Sequence, residues 1–270
     1  MVAESGTATC DTRPMSSERL NQSPTSPRWT VLTWNVHGSA GPDVESIATS
    51  IRAHAPDVVV IQEIRKRQAA TLANALSMRY SWVLKHEPYT KLMWWRSEGM
   101  AIMTPHLLDA VGHTEISDGQ PMRSWRRRIA QWGLVGRADR SMLMIYNLHL
   151  SPHDDADSRR SEALRVKELV ASIGDDPPPV VAGDFNDADD PSIIDALPGV
   201  EHVAAPKSNP SDAPTQSLDH VLLPEHARDV EVEAPAGGEQ WSAISDHLPV
   251  TVHFTLPGVT SSSLPRRAEP

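Results

Sequence analysis

Apolar positions recur along the chain in two rhythms. Trp29-Thr30-Val31-Leu32-Thr33-Trp34 and Val58-Val59-Val60-Ile61 are short, nearly continuous apolar runs of the kind buried strands present, while Asp43 to His54 between them carries Val44, Ile47, Ala48 and Ile51 at helical spacing. The spacing predicts a strand, helix, strand opening. Arg67 to Ser77 gives a second helix through Ala70, Leu72, Ala73 and Leu76. Strand candidates then follow at Ser81 to Leu84, Met100 to Met103 and Met142 to Tyr146 without long helices between them, which predicts an antiparallel meander.

Ala156 to Ile173 is the clearest helix, with Ala163, Leu164, Val166, Leu169, Val170 and Ile173 recurring at three and four and Gly174 placed to cap its end. Pro177 to Pro179 closes that segment. Val180 to Ala182, Leu218 to Leu223, Val230 to Val232 and Val250 to Phe254 complete a second set of strands. Helix-flanked strands in both halves predict an α/β fold in which two sheets pack face to face with helices outside. The Pro-rich stretch Pro206 to Pro214 reads as a mobile loop near the later motifs.

Composition sets the borders. Residues 1–27 and 257–270 are rich in Pro, Ser, Thr and charge and are expected to be disordered tails around one domain, 28–256. The formal net charge of -10 argues against tight, unspecific polyanion binding, because the long-range field repels nucleic acid and anionic membrane unless local cations invert it. The single Cys10 excludes an internal disulfide and a thiolate zinc site. With no apolar leader and no run near the roughly 20 residues that span a bilayer, the expected setting is cytoplasmic and without a membrane span.

Polar islands at or just after the apolar runs carry the chemistry: Thr33-Trp34-Asn35, Ile61-Gln62-Glu63, Asn147-Leu148-His149-Leu150, Gly183-Asp184-Phe185-Asn186, Ser217-Leu218-Asp219-His220 and Ser245-Asp246-His247. Each puts an acid, amide or imidazole where a buried strand should end, which is where open α/β sheets gather ligands. Glu63 is a candidate hard-oxygen ligand, and Glu63 with Asp246 meets the one or two carboxylates that magnesium commonly takes from a protein. Glu63 could equally pair with Arg65 or Lys66 at the surface, and Asn35 alone reads as a turn residue. Asp184 and Asn186, two positions apart after Gly183, can face one side, the carboxylate to take a proton from water and the amide to orient it. His149 and His247 are the proton-handling or charge-stabilising groups, and Asp219 is a carboxylate able to fix the His247 tautomer and favour its charged form.

In this order the motifs resemble those of the endonuclease/exonuclease/phosphatase superfamily, the DNase I-like fold, from about Trp29 to Leu256; the Glu98-Gly99-Met100-Ala101-Ile102 segment supplies a further match. The resemblance implies a four-layered α/β sandwich of two mixed, mainly antiparallel sheets, and cleavage of phosphate esters dependent on a divalent cation, Mg2+ or Mn2+. It implies Glu63 as principal metal ligand with Asn35 and Asp246 nearby, Asp184 activating water, Asn186 orienting the phosphate or nucleophile, and Asp219 supporting His247. His149 would contact the phosphate or protonate the leaving oxygen, with Glu98 holding it.

Two subclasses fit less well. Inositol polyphosphate 5-phosphatases extend the aspartate-asparagine motif with Tyr-Arg, where this chain has Asp187-Ala188, and apurinic endonucleases show Arg-hydrophobic-Asp-Tyr, where it has Ser217-Leu218-Asp219-His220. Arg123, Arg126, Arg127 and Arg128, interleaved with Trp125 and Trp132, form a local basic and aromatic cluster. In it Arg126 and Arg128 are candidate substrate-binding residues for a phosphodiester backbone, or else a solvated strand face. Trp94 and Trp95 beside Lys91 and Arg96 are as ambiguous. The expected function is a phosphodiesterase or nuclease in which water attacks phosphorus. The alternatives are a phosphomonoesterase or sphingomyelinase-like phospholipase, and a non-catalytic binding module of the same fold. The expected partner is a phosphate ester, possible nucleic acid included, with no obligate protein partner.

Overall fold

A computed structural model of the chain describes residues 27–86, 97–117, 127–152, 155–174, 176–187, 200–202 and 205–256. The expected tails, apart from Pro27, lie outside the described residues, as do Arg123, Trp125, Arg126, Lys91, Trp94, Trp95 and Arg96.

The first half forms β1 (Arg28–Asn35), α1 (Val44–His54), β2 (Val58–Arg65), α2 (Lys66–Leu76), β3 (Arg79–His86) and β4 (Glu98–Thr104). It continues with β5 (Leu107–Glu115), β6 (Ile129–Gly136), β7 (Met142–His149), α3 (Ala156–Ile173), β8 (Pro179–Asp184) and β9 (Val200–His202). The chain closes with β10 (Asp219–Pro224), β11 (Arg228–Glu233), a short α4 (Glu239–Ser242) and β12 (Val250–Thr255). Helix α1 starts where expected because the Asp43 side chain accepts the backbone N–H groups of Glu45 and Ser46, which would otherwise go unpaired at the helix end.

Two six-stranded sheets result, in the orders β11-β12-β1-β2-β4-β3 and β5-β6-β7-β8-β10-β9. Each holds one parallel pair, β1 with β2 and β7 with β8, crossed by α1 and α3 respectively, and all other pairings are antiparallel. Trp29, Val31, Val58, Val60 and Ile102 of the first sheet meet Leu143, Ile145, Val180 and Val221 of the second in a shared core. The outer face of the first sheet packs Leu32, Trp34 and Val59 on Ile47 and Ile51 of α1 and Leu72 of α2, and that of the second packs Tyr146 and Val181 on Ala163 and Val166 of α3. The molecule is thus a four-layered α/β sandwich of the DNase I-like kind. Central strands are apolar on both faces because both faces are covered, which is why β1 and β2 read as continuous runs.

The meander differs from its expectation. β3 and β4 belong to the first sheet, whereas β7 pairs with β6 and β8 in the second, so the chain changes sheets between β4 and β5. The Pro206 to Pro214 loop is also pinned rather than loose. Ser208 N–H donates to Gln216 O, Ser211 N–H to Asp246 O, Ser211 Oγ to Ser245 O, and Leu248 N–H to Ser208 O.

Candidate active site

Both parallel pairs point the same way, so four strand ends converge. Asn35 stands beside Gln62 at the end of β1 and β2, and His149 beside Asp184 at the end of β7 and β8. Between them the inter-sheet core turns polar. The Gln62 amide donates to Asn147 Oδ1 (2.8 Å), and Asn147 Nδ2 donates to Ile61 O, Ala101 O and Gln131 Oε1, a fully buried cross-link that sets the spacing of the sheets. Such a network specifies one arrangement because each unpaired member would carry its desolvation cost.

Asp184 is the hub. Its side chain is buried, Oδ2 accepts Asn35 Nδ2 at 2.9 Å, and Oδ1 accepts the Asn186 N–H at 2.9 Å. His149 Nε2 lies 3.7 Å and His247 Nε2 3.9 Å from Oδ2, too long for direct hydrogen bonds and close enough to share one small group with it. Burial pushes the Asp184 carboxyl above its ordinary value and Asp219 adds to this, against the His247 charge and the two donors.

His247 is held from behind. Its Nδ1–H donates to Asp219 Oδ2 at 2.8 Å, and the same oxygen accepts Ser208 Oγ at 2.6 Å. The backbone is fixed as well, since Trp34 Nε1 donates to His247 O and Ser245 Oγ, donating to Asn35 O, also accepts the His247 N–H. Burial alone would lower the imidazole pKa, but Asp219 and Asp184 outweigh it and lift it to about 10.

Glu63 sits on a bulge in β2, at φ 55, between the registers Ile61 with Ala101 and Ile64 with Gly99. The bulge turns the side chain towards the site, where Oε1 is 3.8 Å from His149 Nε2. Gly38 makes room for it, because a Cβ there would strike Glu63 O. Asp246 is half exposed beside the end of β1, with Oδ1 3.4 Å from His37 Nδ1. Asn35 Oδ1 accepts the His37 N–H and keeps a second lone pair. Asn186, at φ 51, gives its side-chain nitrogen to Leu150 O.

Glu98 is buried, and its carboxyl is pushed up by burial and by the nearby Glu63 charge. Lys85 Nζ lies 2.8 Å from His149 Nδ1. Arg128 is buried on the same side, its Nε 3.5 Å from Ser151 Oγ, while Trp132 packs against the second core. Lys85 and Ser208 are the site neighbours that the sequence did not flag. A lysine at the end of a short strand and a serine in a Pro-rich loop have no local mark separating them from solvated residues.

The donor set fits a hard divalent cation. Carboxylates gather with amide oxygens and no thiolate, and their mutual repulsion is what such an ion relieves. Asp184, Asp219 and His247 also bring possible ligand atoms within 4.8 Å of one another. There, however, Asp219 Oδ2 already accepts His247 Nδ1 and Ser208 Oγ, so an ion would have to break that support.

Two layers of helix around two such sheets, with acids, amides and imidazoles at the converging strand ends, define a four-layered α/β sandwich with one polar cleft. The chain belongs to the endonuclease/exonuclease/phosphatase family, whose model matches residues 32–247. Its fold is similar to the endonuclease/exonuclease/phosphatase from Bacteroides vulgatus, at TM-score 0.69 and 17% identity over 86% of this chain and 100% of that one. It is also similar to the mannosyl-6-phosphatase Bt3783 of Bacteroides thetaiotaomicron (0.66, 19%, over 84% and 100%) and to humanized D. rerio TDP2 (0.62, 17%, over 84% and 99%). No curated protein sequence matches the chain. Among the described residues no helix is long and apolar enough to cross a membrane.

Proposed function

We propose that the chain is a divalent-cation-dependent hydrolase of phosphate esters in which water attacks phosphorus directly. One observation carries this reading: Asp184 Oδ2, anchored by Asn35, faces both His149 Nε2 and His247 Nε2 across gaps of 3.7 and 3.9 Å. A buried carboxylate with a raised pKa is suited to take the proton of the attacking water, and Asn186 orients that carboxylate and the water. His247, kept charged by Asp219, stabilises the negative charge growing on the phosphoryl oxygens. His149 contacts the phosphate and donates to the oxygen that leaves as the old P–O bond breaks. Glu63 holds the cation, with Asn35 Oδ1 and Asp246 alongside. When bound there, Mg2+ or Mn2+ supplies Lewis-acid stabilisation of the phosphoryl oxygens.

The phosphodiesterase or nuclease reading leaned on the cluster around Arg126. Of the described members of that cluster, Arg127 donates to Leu84 O and Lys85 O, Arg128 is buried and Trp132 packs, partly buried, against the second core. This favours a second reading, a phosphomonoesterase, and the fold's similarity to a mannosyl-6-phosphatase supports it. Turnover of single- and double-stranded DNA, RNA, sphingomyelin, bis-nitrophenyl phosphate and a panel of phosphomonoesters, each with Mg2+ or Mn2+ and with chelator, tests the reaction class. At least one substrate is hydrolysed only with metal, and Asp184→Ala and His247→Ala each lower kcat/KM by about 1,000-fold. No turnover, turnover indifferent to chelator, or near wild-type rates in both variants overturns the reading.

A further inference from the structure

His220 completes the Ser217-Leu218-Asp219-His220 motif, and the reaction just described gives it no part. Alternation along β10 turns consecutive residues to opposite faces, Asp219 and Val221 towards the other sheet and His220 and Leu222 towards the face that α3 covers. His220 is only 4% exposed, and its ring meets the residues on both sides of Asn186. Its Nε2 lies 3.1 Å from Asp187 O, and the ring stands edge-on to Phe185, with centroids 5.3 Å apart and planes at 69°. A carbonyl oxygen only accepts, so Nε2 carries a proton and donates it.

Asn186 needs such support. At φ 51 it occupies the left-handed region that a residue with a side chain seldom enters, and that conformation persists at a functional site only where the surroundings fix it. Its N–H donates to Asp184 Oδ1 at 2.9 Å and its Nδ2 to Leu150 O at 3.0 Å, which aims the side-chain amide. Phe185 before it is fully buried and donates its N–H to Leu218 O at 2.9 Å, while the carbonyl of Asp187 after it is held by His220. We propose that His220 is a positioning residue for Asn186, gripping the residues on either side of it so that its amide keeps the orientation that the attacking water or the phosphate needs. This rests on the phosphoesterase reading for what that amide does. Strand β10 thereby serves the site from both faces, through Asp219 to His247 on one and through His220 to Asn186 on the other.

His220→Phe keeps a ring against Phe185 and His220→Leu fills the space without one; both remove the donor to Asp187 O, and His220→Gln restores a donor near the position of Nε2. On whichever of p-nitrophenyl phosphate and bis-nitrophenyl phosphate the wild type hydrolyses faster with Mg2+ or Mn2+, the first two variants lower kcat at least about tenfold and His220→Gln stays within about threefold of wild type. In an Asn186→Ala background His220→Phe costs no more than about twofold further, because the residue it positions is gone. A drop of the same size in both backgrounds, or kcat within about twofold of wild type in both His220→Phe and His220→Leu, overturns the proposal. In metal-free protein the Asn186 side-chain amide protons, followed by NMR, exchange at least about tenfold faster in His220→Phe than in wild type, and exchange within about twofold overturns it as well. That measurement needs no turnover, so an inactive protein that still shows the exchange effect sinks the phosphoesterase reading and leaves the hold on Asn186 standing.

Discussion

Asp219 fixes what His247 can do. With Ser208 Oγ and His247 Nδ1 both donating to its Oδ2, the carboxylate holds the imidazole in one tautomer and keeps it charged. Asp219→Asn preserves shape and removes the charge, so kcat falls by about 100-fold or more while KM moves little, as steady-state kinetics will show. The pH dependence follows in sign. A histidine whose folded pKa rises from 6.5 to about 10 stabilises the fold fully below pH 6.5 and loses that contribution as pH climbs through 10. Metal-free protein should show both His247 ring nitrogens protonated at pH 8 by nitrogen NMR, and thermal melts should fall across that window in wild type but much less in Asp219→Asn. A neutral His247 at pH 8 contradicts this. Glu63 and Asp184 were legible because each follows an apolar run that has to end, and His247 because it follows Asp246 just before a buried strand begins. Lys85 was not, since its burial comes from a sheet-to-sheet contact with His149 across 64 positions of sequence.

Elements place these residues through their exits from the sheets. Gly183 is the penultimate residue of β8, at φ 151, and a Cβ there would run into Leu148 O on β7. Gly183→Ala should therefore cost about 1–3 kcal/mol in backbone strain, lowering Tm by roughly 2–4 °C per kcal/mol, and should also displace Asp184 enough to reduce turnover. Calorimetry alongside kinetics reads both; a variant with wild-type Tm and rate would show that β7 and β8 can move apart freely. The buried strands β1, β2, β8 and β10 were plain from composition because both of their faces are covered. β5 and β6 were not: β5 is mostly exposed, and β6 is broken by Gln131, Gly133 and Gly136, so neither offers an uninterrupted apolar signal. The bulge at Glu63 was equally invisible, since it depends on pairing with β4.

At the scale of the whole molecule, two parallel strand pairs, one in each sheet, aim their carboxyl ends at one cleft, and the Gln62, Asn147 and Gln131 cross-link keeps them in register. Side chains from Asn35 to His247 meet there although most of the chain separates them. With a net charge of -10, a cation held in the cleft would be the local means of drawing in an anionic substrate against the wider field. The account depends on where that cation sits. Anomalous scattering from Mn2+ soaked into crystals locates it directly: the prediction is a peak about 2.0–2.2 Å from a Glu63 carboxylate oxygen, lost in Glu63→Gln, with the hydrogen bond from His247 to Asp219 intact. A peak seated between Asp219 and His247 with that bond broken, or one away from the cleft altogether, would contradict it.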